Sequence, residues 1–194
     1  MKTVNLTVNN GQVKVQTPYN AEFVTKAKNL GGKWDTLSKT WIFNENVLDY
    51  VKEILIQIYG VTGETTYQTC TLIVKNYSAE IMNNAVELFG RTIARASGRD
   101  TGVSLGESIV WINGKKESGG STKYWKTIVE NATFEIQDFP VERTKFQDVQ
   151  KAIAEGWVEI KGAAAQKRSR EEILAEINAL EEKLTNLKEE LNNL

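Results

Sequence analysis

The chain of 194 residues has no histidine, one cysteine and two prolines. The absence of histidine excludes imidazole-based acid–base catalysis, the Ser-His-Asp and Cys-His nucleophile systems, and most zinc sites. A single cysteine, Cys70, excludes an internal disulfide bond and fits a reducing cytoplasm. Because Cys70 lies in an apolar, β-branched segment, we expect it in a buried strand, where it fills the core rather than reacts.

Long hydrophobic runs are also absent. No segment approaches the roughly 18 consecutive apolar residues of a transmembrane helix, and the first residues, MKTVNLTVNNG, have no apolar core typical of an export signal. The hydrophobic fraction of 41% nevertheless supports a packed interior. We therefore expect a cytoplasmic protein with no membrane partner.

Net charge is nearly balanced, at −1, but it is unevenly distributed. Residues 91–126 hold seven basic and three acidic residues, a local charge of +4. This stretch is the best electrostatic candidate for an anionic ligand. A dedicated non-specific DNA-binding protein is usually more basic overall.

The first sixty residues predict a small α/β module. Alternating apolar residues on both sides of Asn10-Gly11 indicate a β-hairpin. Asn20 is a favourable N-cap for a helix that ends at Gly31-Gly32. Two short strands, KWD and KTWIF, and a second helix at about residues 45–59 complete the module.

The pattern TPYN-x-x-F-x-x-x-A-K-x-L-GGKWD-x-x-x-KTWIF-x(6)-Y, within residues 12–59, resembles the HARP domain. That module occurs beside annealing-helicase motors and in phage and plasmid proteins. The resemblance implies binding to branched DNA or to single-strand/duplex junctions, with Lys33, Trp34, Lys39 and Trp41 on or near the binding strands. No helicase motor follows, so ATP-driven annealing is not implied. The alternative interpretation is that Trp34, Trp41 and Phe43 are core residues and that the lysines are ordinary solvated side chains.

Residues 61–165 predict a second module with more strands than helices. Strands are expected at TCTLIVKN, RTIARAS, IVWING, YWKTIVEN, TFEIQDFP and WVEIK, with helices starting at Ser78 and spanning about 145–154. The predicted fold class is α+β: two small α/β modules followed by a C-terminal coiled-coil helix. The predicted domains are residues 1–60, 61–165 and 166–194.

Two predicted loops of the second module, SGRDTGVSLG and the turn-rich KKESGGSTK, combine glycines, hydroxyls and cations, as anion sites do. Neither is a P-loop or a dinucleotide-binding loop. In a strand, Arg91 and Arg95 share one face, which suits phosphate better than burial. The predicted anion- or nucleotide-binding residues are Arg91, Arg95, Ser97, Arg99, Lys115, Lys116, Ser121 and Lys123. The alternative is a pair of polar turns in which Arg99 merely pairs with Asp100.

The tail carries an unbroken heptad pattern behind a capping box at residues 169–172. The predicted oligomerisation residues are Ile173, Ile177, Leu180, Leu184, Leu187, Leu191 and Leu194. A parallel dimer would place like charges opposite each other, so an antiparallel pair or a larger bundle is favoured. The alternative is one helix packed on its own domain.

Three functions follow from these observations. The first is a non-catalytic, oligomeric nucleic-acid-binding protein for single-stranded or junction DNA, encoded by a phage or plasmid. The second is a phage counter-defence protein that sequesters a nucleotide-type signalling molecule. The third is a metal-dependent nuclease using Asp100, Glu107 and Lys116, whose spacing matches no nuclease pattern. We therefore expect no enzyme activity, no cofactor and no metal; the expected partners are DNA or an anionic nucleotide, and further copies of the chain.

Overall fold

The computed structural model describes residues 3–162, so the heptad segment and its seven predicted oligomerisation residues lie outside the described part of the chain. The described residues form three antiparallel sheets, with 46% of residues in strands and 22% in helices. The predicted α+β class is therefore wrong, because the protein is mostly β. Its long strands combine segments predicted as strands with segments that looked helical or turn-like in the sequence.

The first sheet contains four strands in the order β1-β2-β4-β3. Its elements are β1 (Asn5–Asn9), β2 (Gln12–Gln16), helix α1 (Ala21–Asn29), β3 (Lys33–Asp35), β4 (Thr40–Asn44), a 3₁₀ turn (Glu45–Val47) and helix α2 (Leu48–Tyr59). Asn10 and Gly11 take positive φ angles of 52° and 74° in the β1–β2 turn, as an Asn-Gly hairpin requires. The Asn20 side chain accepts a hydrogen bond from the Phe23 amide at 2.8 Å and starts α1.

The other two sheets follow in the chain. Their elements are β5 (Thr69–Met82), β6 (Val86–Leu88), β7 (Arg91–Arg95), β8 (Ser104–Leu105), β9 (Ile109–Gly120), β10 (Trp125–Pro140), helices α3 (Val141–Thr144) and α4 (Gln147–Ala154), and β11 (Val158–Lys161). The larger sheet has the order β11-β5-β10-β9, and the smaller has the order β6-β7-β8.

The helix predicted to start at Ser78 is absent because this segment belongs to a long strand. Residues 79–82 pair antiparallel with residues 126–129 of β10, and Ser78 Oγ accepts a hydrogen bond from the Asn131 amide at 2.9 Å. The cap-like sequence is overridden by cross-strand pairing, which satisfies the same backbone groups. Residues 115–120, expected as a turn, likewise pair with residues 125–130 as the end of β9.

Two hydrophobic clusters form the interior of the described residues. One gathers β1, β2, β4, α1 and α2 around Phe23, Trp41 and Leu55. The other lies under β5, β7 and β10 around Phe134, Ile136 and Phe139. Both belong to one compact unit. Among residues 3–162, no helix is both long enough and apolar enough to span a membrane.

Polar contacts join the two clusters and fix their relative position. Asn20 Nδ2 donates to the Gly90 carbonyl at 3.2 Å, and the Ala21 amide donates to Glu87 Oε1 at 3.2 Å. Arg143 reaches back to the Ile58 carbonyl with its Nε at 3.3 Å. As a result, the start of α1 lies against the β6–β7 region, and Tyr19 lies beside β7.

Candidate nucleic-acid interface

An apolar groove of about 400 Å³ lies beside α1 and β3. We call it the aromatic groove. Its lining residues are Tyr19, Val24, Lys28, Trp34 and Trp41. Tyr19 and Trp34 are each 45% exposed, whereas Trp41 is only 6% exposed. Two large rings that remain half in solvent within one groove offer flat apolar faces to a ligand.

Local geometry explains why the rings gather there. Trp34 stands directly opposite Trp41 in the β3–β4 pair, and their ring centroids are 5.6 Å apart. Because β3 is an edge strand, Trp34 lies at the margin of the sheet face that carries Trp41. Val24 and Lys28 are four residues apart on α1 and therefore lie on one side of that helix. Lys28 makes no ion pair with any described residue, so its charge is available to an anion.

A smaller cavity of about 190 Å³ also has Tyr19 in its lining. We call it the arginine cavity. Its lining residues are Pro18, Tyr19, Arg91, Thr92, Arg95, Ser104, Leu105, Gly106 and Glu107. The Arg95 guanidinium carbon lies 5.6 Å from the centroid of the Tyr19 ring, within cation–π range. Tyr19 thus forms a wall shared by the arginine cavity and the aromatic groove.

Arg91 is an unusual member of this lining because only 3% of it is exposed. Its Nη2 donates to the Asp138 carbonyl at 2.9 Å, and its Nη1 is buried without a hydrogen-bond partner among the described residues. Burial lowers the pKa of Arg91, while the nearby carboxylates of Asp138 and Glu107 oppose that shift. An arginine nevertheless stays charged at neutral pH. A buried cationic donor without an acceptor is costly, so Arg91 is a group that an anion would complete.

The predicted nucleic-acid-binding residues separate onto two faces of the first sheet. Trp34 lines the aromatic groove. Lys33, its neighbour in β3, stands in register with Ile42 and therefore lies on the opposite face. Lys39 occupies the β3–β4 turn, with a φ of 54°, and both lysines are exposed. The cation beside Trp34 is Lys28 rather than Lys33.

The predicted anion-binding residues are likewise divided. Arg91 and Arg95 come together in the arginine cavity, as their shared strand face indicated. Ser97 and Arg99 lie exposed in the following loop, where Arg99 pairs with Asp100 at 2.7 Å. The Arg99–Asp100 pair is the alternative to anion binding that the sequence indicated for this loop.

The remaining four predicted anion-binding residues lie on the β9–β10 hairpin, outside the arginine cavity. Lys115 pairs with Glu117 at 2.7 Å, and Lys116 lies over the Trp111 ring at 5.0 Å. Lys123 lies over its neighbour Tyr124 at 5.3 Å, and Ser121 Oγ accepts a hydrogen bond from the Tyr124 amide at 3.0 Å. These local contacts occupy the side chains that were expected to face a ligand.

Two groove residues, Tyr19 and Lys28, were not among the predicted site residues. The signal for Tyr19 is its place between Pro18, which stops β2, and the N-cap Asn20, which holds it at the surface where α1 begins. The signal for Lys28 is its four-residue spacing from Val24, whose side chain borders the hydrophobic core. Both signals require the helix to be placed against the β3 edge, which the sequence does not show.

Within residues 3–162, no three acidic or cysteine side chains come together as a metal site would require. Of the residues considered for a nuclease, Asp100 pairs with Arg99, Glu107 lines the arginine cavity and Lys116 lies on Trp111. The structure therefore gives the nuclease hypothesis no support.

No protein-family model matches this chain, and searches of curated proteins and of solved structures find no match either. The resemblance of residues 12–59 to the HARP domain thus remains a prediction from the sequence. The aromatic groove and the arginine cavity have to be interpreted from their own chemistry.

Proposed function

We propose that this protein binds single-stranded nucleic acid, without catalysis, along the aromatic groove. The observation that carries the proposal is the pair of half-exposed rings, Tyr19 and Trp34, in one groove with Lys28, a lysine that has no ion pair among the described residues. Proteins that bind single strands combine aromatic platforms for the bases with cations for the backbone. The groove supplies both elements on one surface.

The two rings and the two cations have separate roles. Every base has an apolar face, so stacking on Trp34 or Tyr19 contributes about 1–3 kcal/mol per base with little sequence preference. Lys28 and Arg95 make no ion pair with the described residues. Each can therefore neutralise a phosphate and release its counterion.

Binding to a single-strand/duplex junction, the finer form of this function, would use the outer face of the first sheet as well. Lys14 and Lys33 lie in one cross-strand row there, through Ile42, and the exposed Lys39 follows in the adjacent turn. These residues make no ion pair with the described part of the chain. A duplex would meet only point charges on this face, which position a backbone without reading its sequence.

The proposal is tested by fluorescence anisotropy with a labelled single strand and the Tyr19→Ala variant. We expect the dissociation constant to rise about 5- to 150-fold, which corresponds to the loss of one stacking contact. The matched control is Tyr124→Ala, because Tyr124 is 50% exposed but lies on the β9–β10 turn, outside the groove. Equal losses in both variants, or no binding by the wild-type protein, would refute the proposal.

The second candidate, sequestration of a nucleotide-type signalling molecule, is favoured by one observation. The arginine cavity adjoins the aromatic groove through Tyr19, so one compact ligand could place a base and a phosphate in neighbouring spaces. The two functions differ in length dependence. Affinity that grows with strand length supports single-strand binding, whereas saturation by free cyclic nucleotides with no gain for longer strands supports sequestration.

A further inference from the structure

We propose, on the basis of the single-strand binding proposed above, that the arginine cavity takes the terminal phosphate of the strand. The protein would then bind strand ends that carry a phosphomonoester in preference to ends that carry a hydroxyl. Arg91 and Arg95 hold the phosphate, and the adjacent nucleobase lies on Tyr19 or Trp34 in the aromatic groove.

The volume of the arginine cavity fits a phosphate group rather than a whole nucleotide. Its volume of about 190 Å³ is below the roughly 300 Å³ at which pockets for complete small molecules begin. It corresponds to about six water molecules at roughly 30 Å³ each. A phosphate fits this space, whereas an internal phosphodiester would have to bring a sugar and a base on both sides.

The charge of the cavity also favours a terminal phosphate. Arg91 and Arg95 contribute two positive charges and Glu107 contributes one negative charge, so the ionised lining carries a net +1. A phosphomonoester has a second pKa near 6 and carries about −1.5 to −2 at pH 7, whereas a phosphodiester carries one negative charge. The more negative group gains more from two guanidinium groups, and Arg91 Nη1 has no acceptor among residues 3–162.

Tyr19, which lines both spaces, links the arginine cavity to the aromatic groove. Tyr19 is 45% exposed and borders both spaces, and the Arg95 guanidinium lies against its ring. A ligand that stacks on Tyr19 in the groove therefore has the Arg95 guanidinium beside the same ring, in addition to Lys28 within the groove. The last nucleotide of a strand can therefore place its base on Tyr19 and its terminal phosphate beside Arg95.

The test compares three strands of the same sequence and internal label: one with a 5′-phosphate, one with a 3′-phosphate, and one with hydroxyls at both ends. For the wild-type protein, we expect one phosphorylated strand to bind about tenfold more tightly than the hydroxyl strand, the contribution of one charge-assisted hydrogen bond. Whichever phosphorylated strand shows the preference identifies the end that is recognised. Equal affinity for all three strands would overturn the terminal-phosphate proposal while leaving single-strand binding intact; no binding of any strand would refute the proposed function itself.

Variants locate the preference in the cavity. In Arg95→Gln, the affinity for the preferred phosphorylated strand should fall to about that for the hydroxyl strand. Arg95→Lys should keep only part of the preference, because lysine lacks the two-pronged guanidinium geometry. Lys151→Gln is the control, since its side chain is 73% exposed on α4 and lies outside the cavity lining. A preference that survives in Arg95→Gln would place the phosphate elsewhere and overturn the proposal.

A second measurement needs no substitution, so it holds even if Arg95→Gln does not fold. Inorganic phosphate at constant ionic strength should compete with the phosphorylated strand and leave the hydroxyl strand largely unaffected. Equal competition with both strands would show a general ionic effect and contradict a phosphate site in the cavity.

Discussion

Alanine substitutions of the two groove tryptophans, Trp34 and Trp41, should have opposite relative effects on strand binding and on stability. Trp34 and Trp41 stand opposite each other in neighbouring strands with ring centroids 5.6 Å apart, yet Trp34 is 45% exposed and Trp41 is 6% exposed. Truncating a buried tryptophan costs about 3–5 kcal/mol. Because Trp34 leaves nearly half of its surface in water, its removal should cost about half as much, roughly 1.5–2.5 kcal/mol.

Binding should show the reverse order. Trp34 offers a free ring face, so Trp34→Ala should lose the stacking of one base, about 1–3 kcal/mol or 5- to 150-fold in Kd. Trp41 packs edge-to-face on Phe23 and offers little surface to a ligand. Trp41→Ala protein that remains folded should therefore bind within a few-fold of wild type.

The assay measures urea unfolding and single-strand anisotropy on the same preparations of each variant. Refutation would be a Trp34→Ala variant that binds normally, or a Trp41→Ala variant that loses affinity without losing stability. The first result would mean that the exposed ring of Trp34 is not a binding surface, and the second would mean that binding does not follow the exposure of the rings.

Three further predictions concern charge, pH and backbone geometry. Lys28→Gln should weaken strand binding and reduce the slope of log Kd against log salt by about one unit, whereas an unchanged slope would remove Lys28 from the phosphate contacts. Asp148→Asn should destabilise the protein by about 1–2 kcal/mol at pH 7, less than a fully buried pair, because Asp148, which pairs with the buried Arg143 at 2.6 and 2.7 Å, is half exposed. The hydrogen bonds from Arg143 lower the pKa of Asp148, so the stabilisation by this pair is complete above the unfolded-state pKa of about 3.9 and is lost as pH falls through the folded-state pKa. A difference in Tm between wild type and Asp148→Asn that persists below the folded-state pKa would contradict this prediction. Gly60→Ala should destabilise more than Gly11→Ala in urea unfolding, because both glycines have positive φ but only at Gly60 would the new Cβ lie 2.7–2.9 Å from Arg143; equal losses would show that the Arg143 contact yields easily.

Local chemistry made the first sixty residues predictable. The Asn10-Gly11 turn and the Asn20 cap act within a few residues of themselves, and the structure contains both. The Ser78 segment has a comparable local signal for a helix, but its partners in β10 are about 50 residues away in the chain. Long-range pairing decided the outcome there, which is why the predicted fold class was wrong.

The candidate site shows the same division. Strand alternation placed Arg91 and Arg95 on one face, and the structure brings them together in one cavity. The same rule separates Lys33 from Trp34, although the resemblance to HARP grouped them. Neither strand alternation nor the resemblance shows that Tyr19 and Lys28 complete the aromatic groove, because that depends on how α1 packs beside β3 and β7.

Photo-crosslinking tests the central claim most directly. A single strand that carries a photoreactive thymine analogue is irradiated with the wild-type protein, and the crosslinked peptide is identified by mass spectrometry. If the aromatic groove binds the strand, adducts will fall on Tyr19, Trp34 or their immediate neighbours. Adducts confined to the β9–β10 turn around Tyr124, or spread without preference over the surface, would contradict the assignment of the aromatic groove as the binding site.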